Sequence, residues 1–534
     1  MLPFPAFRRA LSNQTLTGRR LPAPPRRGHA ERVSAQNTAV TGIPDGDTPF
    51  TLGVASGDPE PGSVVLWTRL APDPYTPGGG LPTCGAIPVG WQIADDEHFA
   101  SVRQQGVFDA PAADGHSVHV DVRGLDADRP YFYRFRTGPW ISPTGRTRTA
   151  PLPGATLTAR RFGLADCAQY RDGYYTAYAH LAAEDIDAVL FVGDYVYEYP
   201  IDAQGGARRL TGAPLPDFLN HTTRTLDDYR VRHALFKSDP DLQAAHAAHP
   251  WYVTWDDHEV ENNYAGDVSQ HADPVPVFRA RRAAAYRAYW ENMPLREAQR
   301  PTGPDMRLYR RFCYGRLAQL DVLDTRQYRS DQAYGDGWQY PGPQSEDPSR
   351  TMTGAAQERW LLDGLRASTA TWNLLVQQVA FSRRANSTAA HSRVSMDTWD
   401  GYPAARARVL AGAEQAGLDG LVVLSGDAHV HHAFDVLRDF HDPGSPTAAV
   451  EFLASSVSSG SDGADRPRDW AVMTDANPHM RFYNGRRGYV ILTLTPERVR
   501  ADFRTLPYVT RPGAPVGTAA SFVSEIGRPG LVRA

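Results

Sequence analysis

The sequence changes its pattern near residue 160, and this change limits the folds that the chain can adopt. From Thr48 to Thr149, short apolar runs alternate with Gly/Pro-rich turns, which is typical of a small all-β sandwich. Strands are predicted at 63–70, 89–96, 117–125 and 131–138. We therefore predict an N-terminal β-sandwich domain over residues 47–149 and a linker over 150–160.

The predicted strand 117–125 alternates apolar and polar residues. Its valines at 118, 120 and 122 are expected to face the core, and His119 and Asp121 are expected to face solvent. His119 is therefore predicted to be a solvated strand residue rather than a ligand.

Beyond residue 160, predicted strands alternate with predicted helices. Strands are predicted at 161–165, 188–194, 251–255, 316–323, 372–379 and 420–426. Helices are predicted at 173–185, 226–236, 278–293 and 357–365. This alternation predicts sheets covered by helices, with the chemistry on loops that leave the strand ends.

Four of these strands are followed by residues of metal-binding type. The segments are DCAQY (166–170), GDYVYEY (193–199), DDHEVENN (256–263) and GDAHVHH (426–432). Taken singly, each has an ordinary explanation, such as a strand-to-turn pair, a solvated helix start or a buried apolar cysteine. Their joint placement after separate strands favours metal ligands that converge on one edge of a sheet.

Composition excludes several other classes of function. The 534 residues carry a formal net charge of -4, so the overall charge does not indicate nucleic-acid binding. The sequence contains a single lysine, Lys237. A Gly-Lys-Ser/Thr phosphate loop is therefore absent. The sequence has no run of eighteen apolar residues, so it predicts no membrane-spanning helix. Residues 1–46 are predicted to be a disordered tail or a degenerate export segment, since paired arginines lack a following apolar region.

The motifs together resemble the PhoD-type alkaline phosphatases of the metallophosphoesterase (calcineurin-like) superfamily. The resemblance rests on FVGDYVYEY, YVTWDDHEVENNYAGD, LDVLDTRQYRSDQ, SGDAHVH and NPHMRFYNGRRGYV, in this order. It implies an α/β catalytic domain over 161–505, built as a two-sheet β-sandwich flanked by helices. FTLGVASGDPEPGSVVLWTRLAP (50–72) resembles the fibronectin-III/Ig-like N-terminal domain of the family. Residues 506–534 are expected to form a tail that covers the active site, with a short helix candidate at 519–526.

The resemblance also implies a ligand set for a first metal ion. Asp194 would bridge two metals, Cys167 and Tyr197 would be thiolate and phenolate ligands, and His429 would complete the set. Three anionic donor types suit a trivalent iron centre, so the expected ion is Fe³⁺.

A second position is expected to hold one or two Ca²⁺ ions. Asp257 and Asp427 stand where the general superfamily pattern has Asn and His, and oxygen donors favour calcium over zinc. Additional candidate ligands are Asp166, Glu259, Asn262, Asn263, Gln377 or Gln378, and His431.

The implied reaction is hydrolysis of phosphomonoesters and phosphodiesters by a metal-activated water or hydroxide. His258 would protonate the leaving oxygen, or else make a structural hydrogen bond. Arg326 would clamp a phosphate oxygen, or else pair with Asp324 or another buried carboxylate.

Two other functions stay open from the sequence. The chain could be a phospholipase D-like phosphodiesterase, or a non-catalytic, calcium-dependent surface or matrix-binding protein. Substrates would be small esters or cell-wall or lipid phosphodiesters, the protein is expected to be a monomer, and a secreted or extracytoplasmic location would fill weak calcium sites.

Overall fold

The computed structural model describes residue 43 and residues 48–201, 208, 219–389, 391–442 and 444–534. The predicted tail over 1–46 therefore lies outside the described residues, apart from Ile43. Within the described residues the chain forms two large sheets, a five-stranded sheet and a short two-stranded ribbon.

The N-terminal segment forms the predicted sandwich, but its two sheets have different relations to the rest of the chain. Its strands are β1 Val54–Glu60, β2 Ser63–Arg69, β3 Ala86–Ala94, β4 Val102–Pro111, β5 Ser117–Arg123, β6 Pro130–Thr137, β7 Trp140–Ile141 and β8 Gly145–Arg148. One sheet has the order β4-β3-β6-β7, with β8 paired to β6. Strands β1, β2 and β5 face this sheet across an apolar core that includes Leu66, Val120 and Phe135.

Strands β1, β2 and β5 also belong to the largest sheet of the molecule. The remaining strands of that sheet are β9 Arg160–Ala165, β10 Ala188–Phe191, β11 Pro250–Val253, β21 Gly488–Leu494, β22 Arg498–Thr505, β23 Gly517–Glu525 and β24 Arg528–Arg533. The strand order is β24-β23-β22-β21-β9-β10-β11-β1-β2-β5. Because β1 pairs in parallel with β11, the N-terminal segment extends the sheet of the following domain.

The second large sheet faces the first and completes a two-sheet sandwich. Its strands are β12 Arg310–Tyr314, β13 Ala318–Val322, β15 Trp372–Val376, β17 Leu421–Ser425, β18 His431–Leu437, β19 Thr447–Leu453 and β20 Met480–Asn484, and the ribbon pairs β14 Trp338–Gln339 with β16 Val394–Ser395. The order is β12-β13-β15-β17-β19-β18-β20. Leu164 and Leu190 from the first sheet pack with Leu320, Leu374 and Val422 from the second. The inner strands β15 and β17 are mostly apolar and buried at every residue because they are covered on both faces.

Most of the helices cover the outer faces of the two sheets. The helices are α1 Thr176–Ala183, α2 Leu226–Lys237, α3 Pro240–Ala248, α4 Val275–Asn292, α5 Gly354–Ala367, α6 Pro403–Gln415 and α7 Trp470–Ala476. Helices α1 to α4 share a core with the first sheet, and α5 and α6 share one with the second. A capping box between Thr225 and Asp228 starts α2.

Three expectations about the fold need correction. His119 is not solvated: its ring stacks on Trp290 at 4.2 Å, and its Nδ1 donates to the Leu295 carbonyl at 3.1 Å. The outward face of β5 meets the end of α4 because β5 belongs to the shared sheet. The helix candidate at 519–526 lies instead in strand β23, where Ala520 and Phe522 face the core in alternation and extend the sheet. Strand β10 also ends earlier than predicted, at Phe191 rather than at Asp194.

Candidate metal centre

The loops that follow four strands meet at one edge of the two-sheet sandwich. Cys167 follows β9, Asp194 follows β10 and Asp257 follows β11, which are neighbouring parallel strands of the first sheet. Asp427 and His429 follow β17 of the second sheet. The structure thus brings together residues that lie up to 262 positions apart, from Cys167 to His429.

Backbone torsions at these loops are unusual. Cys167, Asp194, Asp427 and His429 all have positive φ, between 53° and 63°. Non-glycine residues seldom adopt this region, and such residues cluster at functional sites where the surrounding structure holds them in place. Here the Cys167 amide donates to the Gly193 carbonyl at 3.0 Å, which locks the first two loops together.

The first ligand group surrounds one oxygen of Asp194. Its Oδ2 lies 3.4 Å from the Cys167 Sγ and 3.0 Å from the Tyr197 hydroxyl. The same hydroxyl lies 3.3 Å from the His429 Nε2. Ligand atoms of Cys167, Asp194 and His429 lie within 4.8 Å of one another, so all four predicted first-ion ligands are close together.

Two further groups extend from Asp194 towards the second sheet. Ligand atoms of Asp194, Asp257 and His258 lie within 4.8 Å of one another, and so do those of Asp256, Asp257 and Asp427. Asp194 is common to the first two groups and Asp257 to the last two. A carboxylate shared in this way is suited to bridging two cations.

The electrostatics of the cluster fit bound cations. Burial, followed by neighbouring acidic groups, raises the pKa of the Cys167 thiol and the Tyr197 phenol well above their usual values. Burial also raises the pKa of Asp427 to about 6. Asp166 is fully buried, and neither of its carboxylate oxygens has a hydrogen-bond partner. So many buried acceptors without compensation are stable only when cations or protons neutralise them.

Asp166 lies against the backbone of the GDAH loop. A Cβ atom at Gly426 would sit 1.9 Å from the Asp166 Oδ2, so this position requires glycine. The close approach brings the Asp166 carboxylate to the edge of the cluster, next to Asp427.

His258 pairs with a residue that the sequence reasoning did not single out. Its Nδ1 lies 2.7 Å from the Glu198 Oε2, and the Asn262 amide donates to the other Glu198 oxygen at 2.9 Å. Burial opposes the charged imidazolium, but the charges of Glu198, Asp257 and Asp194 outweigh it and raise the pKa of His258 well above its usual value. Glu198 directly follows Tyr197, so the acidic residue in GDYVYEY was the available signal.

Arg326 is engaged by carboxylates of the protein. Its guanidinium is fully buried and contacts Asp256 through two nitrogens, at 2.5 and 3.1 Å, and Asp397 through the third, at 2.8 Å. This geometry favours the ion-pair alternative over the phosphate clamp, with Asp256 and Asp397 rather than Asp324 as partners.

Glu259 holds the loops rather than a cation. Its carboxylate accepts hydrogen bonds from the backbone amides of Asp194, Tyr195 and Asp256, at 3.1, 2.7 and 2.9 Å. Burial raises its pKa to about 7, while those amides lower it. Because both oxygens are occupied, Glu259 fixes the turn that carries Asp194.

The remaining candidate ligands have structural partners or lie at the rim. Gln378 bonds to Thr325 and Thr254, and the Gln377 amide nitrogen donates to Val379 O and Ser425 Oγ. His431 accepts from the Ser455 amide at its Nδ1 and bonds to the Arg504 carbonyl through its Nε2. Asn263 donates its side-chain amide to Asp336, and its backbone amide to Asp257. Asn262 contributes its backbone amide to Glu198, as described above.

The fold and the site define a class of protein: a two-sheet α/β sandwich with a buried, acidic loop cluster whose side chains could hold metal ions. The profile of the PhoD-like phosphatase family matches residues 162–503, and that of the PhoD-like phosphatase N-terminal domain matches residues 35–151. The chain therefore belongs to the PhoD-like phosphatase family, and it is a hydrolase of phosphoric ester bonds. The family predicted from the motifs is confirmed.

Two relatives support this assignment over nearly the whole chain. Alkaline phosphatase D of Bacillus subtilis (strain 168) is 49% identical over 487 residues, which cover 90% of this chain and 82% of that protein. A solved structure of PhoD is 48% identical, covers 92% of this chain and 93% of its own, and superposes with a TM-score of 0.88. Among the described residues, no helix is both long enough and apolar enough to span a membrane.

Proposed function

We propose that the chain hydrolyses phosphomonoesters and phosphodiesters at the loop cluster around Asp194, with one Fe³⁺ and one or two Ca²⁺ ions as cofactors. The main support for this proposal is that Asp194 belongs to two groups of possible ligands. One group adds Cys167 and His429, and the other adds Asp257 and His258. The proposal of an extracytoplasmic location follows from the calcium requirement.

In this proposal the two kinds of cation bind at different ends of the cluster. Cys167, Tyr197 and His429 would hold the iron together with Asp194, since anionic sulfur and oxygen donors suit a trivalent ion. Asp257 and Asp427 would hold calcium, with Asp166 as an additional carboxylate. When bound, such cations neutralise the ester and lower the pKa of a coordinated water.

His258 is the proposed proton donor to the leaving oxygen. The hydrogen bond to Glu198 fixes the ring with Nδ1 towards the carboxylate, which leaves Nε2 to face the reacting group. The Tyr197 ring stacks on the imidazole at 4.2 Å and limits its rotation. Glu198 thereby keeps His258 charged and oriented before the substrate binds.

Glu259 has a positioning role in this proposal. By accepting three amide hydrogen bonds, it holds the Asp194 turn against the Asp256 turn. The amide of His258 also donates to Asp194 Oδ1, at 3.3 Å. The two loops therefore keep a fixed spacing, which matters because a small misplacement of reacting groups can reduce a rate about 100-fold.

The test is hydrolysis of a chromogenic phosphodiester and of its monoester by the purified protein, loaded with Ca²⁺ and Fe³⁺ and then treated with a calcium chelator. We expect turnover that the chelator removes and added calcium restores. Asp194→Asn is expected to lose activity by at least about 100-fold together with bound metal, as bridging ligands do. Asp363→Asn, at an exposed ion pair, is the matched control.

Metal-replete protein that hydrolyses neither ester would overturn the proposal. A phosphatidylcholine substrate in the same assay separates the phospholipase D-like alternative: cleavage of this lipid at a rate above that of both chromogenic esters would favour it. Nothing among the described residues favours the non-catalytic alternative, and membership of a hydrolase family speaks against it.

A further inference from the structure

In a site that is itself rich in carboxylates, a cationic side chain beside the metal ions would strengthen the binding of a phosphate ester. Three arginines lie in loops at the edge of the sandwich that carries the cluster: Arg326 after β13, Arg384 after β15 and Arg487 just before β21. Arg326 is engaged by two aspartates, as described above. Arg487 is also engaged: its two amino groups donate to Ser456 Oγ at 2.7 Å and to the carbonyls of Ser459 and Gly485.

Arg384 differs from both because its guanidinium has no partner. Among the described residues, no carboxylate lies within 4 Å of it, and its side chain makes no hydrogen bond. Its Nε is buried without a partner, while the side chain as a whole is half-buried. A buried donor left unpaired is costly, so a ligand that supplies an acceptor would be stabilising here.

The backbone around Arg384 is fixed rather than free. The Ser382 amide donates to Glu451 at 2.7 Å, the Arg384 amide to Asp400 at 2.8 Å and the Ala385 amide to Asn477 at 2.8 Å. An unpaired arginine on an anchored loop is suited to receive a ligand with little loss of backbone freedom.

The position of this loop points to the candidate metal centre. It follows β15, which pairs in parallel with β17, the strand that leads into Asp427. Glu451, which anchors Ser382, also accepts from the Ser425 hydroxyl at the end of β17.

We propose that Arg384 binds the phosphoryl oxygens of the substrate, and of the phosphate product, at the Asp427 side of the cluster. This inference rests on the proposed function of the same site. A guanidinium can donate two parallel hydrogen bonds to a phosphoryl group, a geometry that lysine cannot reproduce. The assignment gives Arg384 the role that the sequence motif suggested for Arg326.

The experiment compares Arg384→Ala and Arg384→Lys with Arg383→Ala in the metal-loaded enzyme. Arg383 is the matched control, because it is the adjacent half-buried arginine, and its backbone carbonyl accepts a hydrogen bond from the His479 Nε2 at 2.8 Å. The readouts are KM, kcat, the inhibition constant of inorganic phosphate and the bound metal content.

We expect Arg384→Ala to raise both KM and the phosphate inhibition constant at least about tenfold with unchanged metal content, which is the size of a lost charge-assisted hydrogen bond. Arg384→Lys should recover part of the loss, and Arg383→Ala should stay within about twofold. If Arg384→Ala fails to fold, Arg384→Lys carries the test, with the same direction and a smaller rise.

An active wild type whose phosphate inhibition is the same in Arg384→Ala would overturn this inference and leave the proposed function intact. A wild type inactive on both esters would overturn the proposed function instead. In that case, calorimetric titration of inorganic phosphate into wild type and Arg384→Ala tests the binding role by itself: equal affinities would overturn it.

Discussion

Replacing Arg326 by methionine tests whether this arginine holds the protein together or binds substrate. Methionine has a similar length but no charge, so the variant leaves Asp256 buried without a cation. Asp397 keeps hydrogen bonds from Arg329 and Gln332, both at 2.8 Å, whereas the two Asp256 oxygens accept only from Arg326. The cost therefore falls mainly on Asp256.

The expected magnitude follows from this arrangement. Removing one partner of a buried ion pair costs about 3–5 kcal/mol, because the remaining charge is uncompensated. If residues 162–503 unfold as one unit, their entropy of unfolding is about 0.7 kcal/mol/K, from the usual value per residue. Dividing the free-energy cost by this entropy gives a fall in Tm of about 4–7 °C. The double variant Arg326→Met/Asp256→Asn removes both charges and should recover part of this loss.

The assay is thermal unfolding of metal-loaded wild type and variants, with KM measured on the folded protein. Arg366→Met is the control: its ion pair with Asp363 is exposed, with side chains 69% and 72% accessible, and should shift Tm by less than about 1 °C. An Arg326→Met variant with the wild-type Tm and a KM raised tenfold would refute the reasoning and restore the phosphate-clamp interpretation.

Three further predictions concern titrating groups. Burial lowers the pKa of His119 to about 4, so the neutral imidazole stabilises the fold less as the pH falls from 6.5 towards 4. Over this range, the free energy of unfolding of wild type, measured with denaturant, should fall by up to about 3 kcal/mol relative to that of His119→Gln. Parallel plots of unfolding free energy against pH for the two proteins would contradict this. Burial, then Arg69, lowers the pKa of Lys237, so between neutral pH and 10.5 wild type should gain stability with pH relative to Lys237→Met in the same measurement. Glu198→Gln removes the charge that raises the pKa of His258, so the alkaline fall of kcat, where the acid loses its proton, should move to lower pH; an unmoved limb would disprove the pairing.

The positions of the site loops could be predicted from the sequence, because the candidate ligands follow apolar strands closely in the chain. Parallel neighbouring strands end at the same edge, so Cys167, Asp194 and Asp257 had to be close together once β9, β10 and β11 were assigned. His429 lies with them at the end of a strand of the second sheet; the four strand ends together predicted this convergence, and the resemblance added the assignment of His429 to the first ion.

The roles of individual acidic residues could not be predicted in the same way. Glu259 and Asp257 stand two positions apart in one acidic run, yet Glu259 binds three backbone amides and Asp257 faces the other carboxylates. Which acid meets amides and which meets cations depends on the three-dimensional path of two loops. The same limit applies to Arg326, whose partner Asp256 is 70 residues away.

The boundary between the two domains is where the pattern-based reasoning was least informative. The Gly/Pro-rich turns predicted a separate sandwich, but β1 belongs to the largest sheet of the molecule and pairs there with β11, the strand that leads into Asp257. Trp67 on β2 approaches the same region through Lys237, whose Nζ lies 4.2 Å from the Trp67 ring and 5.1 Å from the Tyr195 ring. Tyr195 follows Asp194 directly. The N-terminal strands thus support the two loops that carry Asp194 and Asp257. We therefore expect these loops to need strands β1 and β2 in order to adopt the geometry of the candidate metal centre.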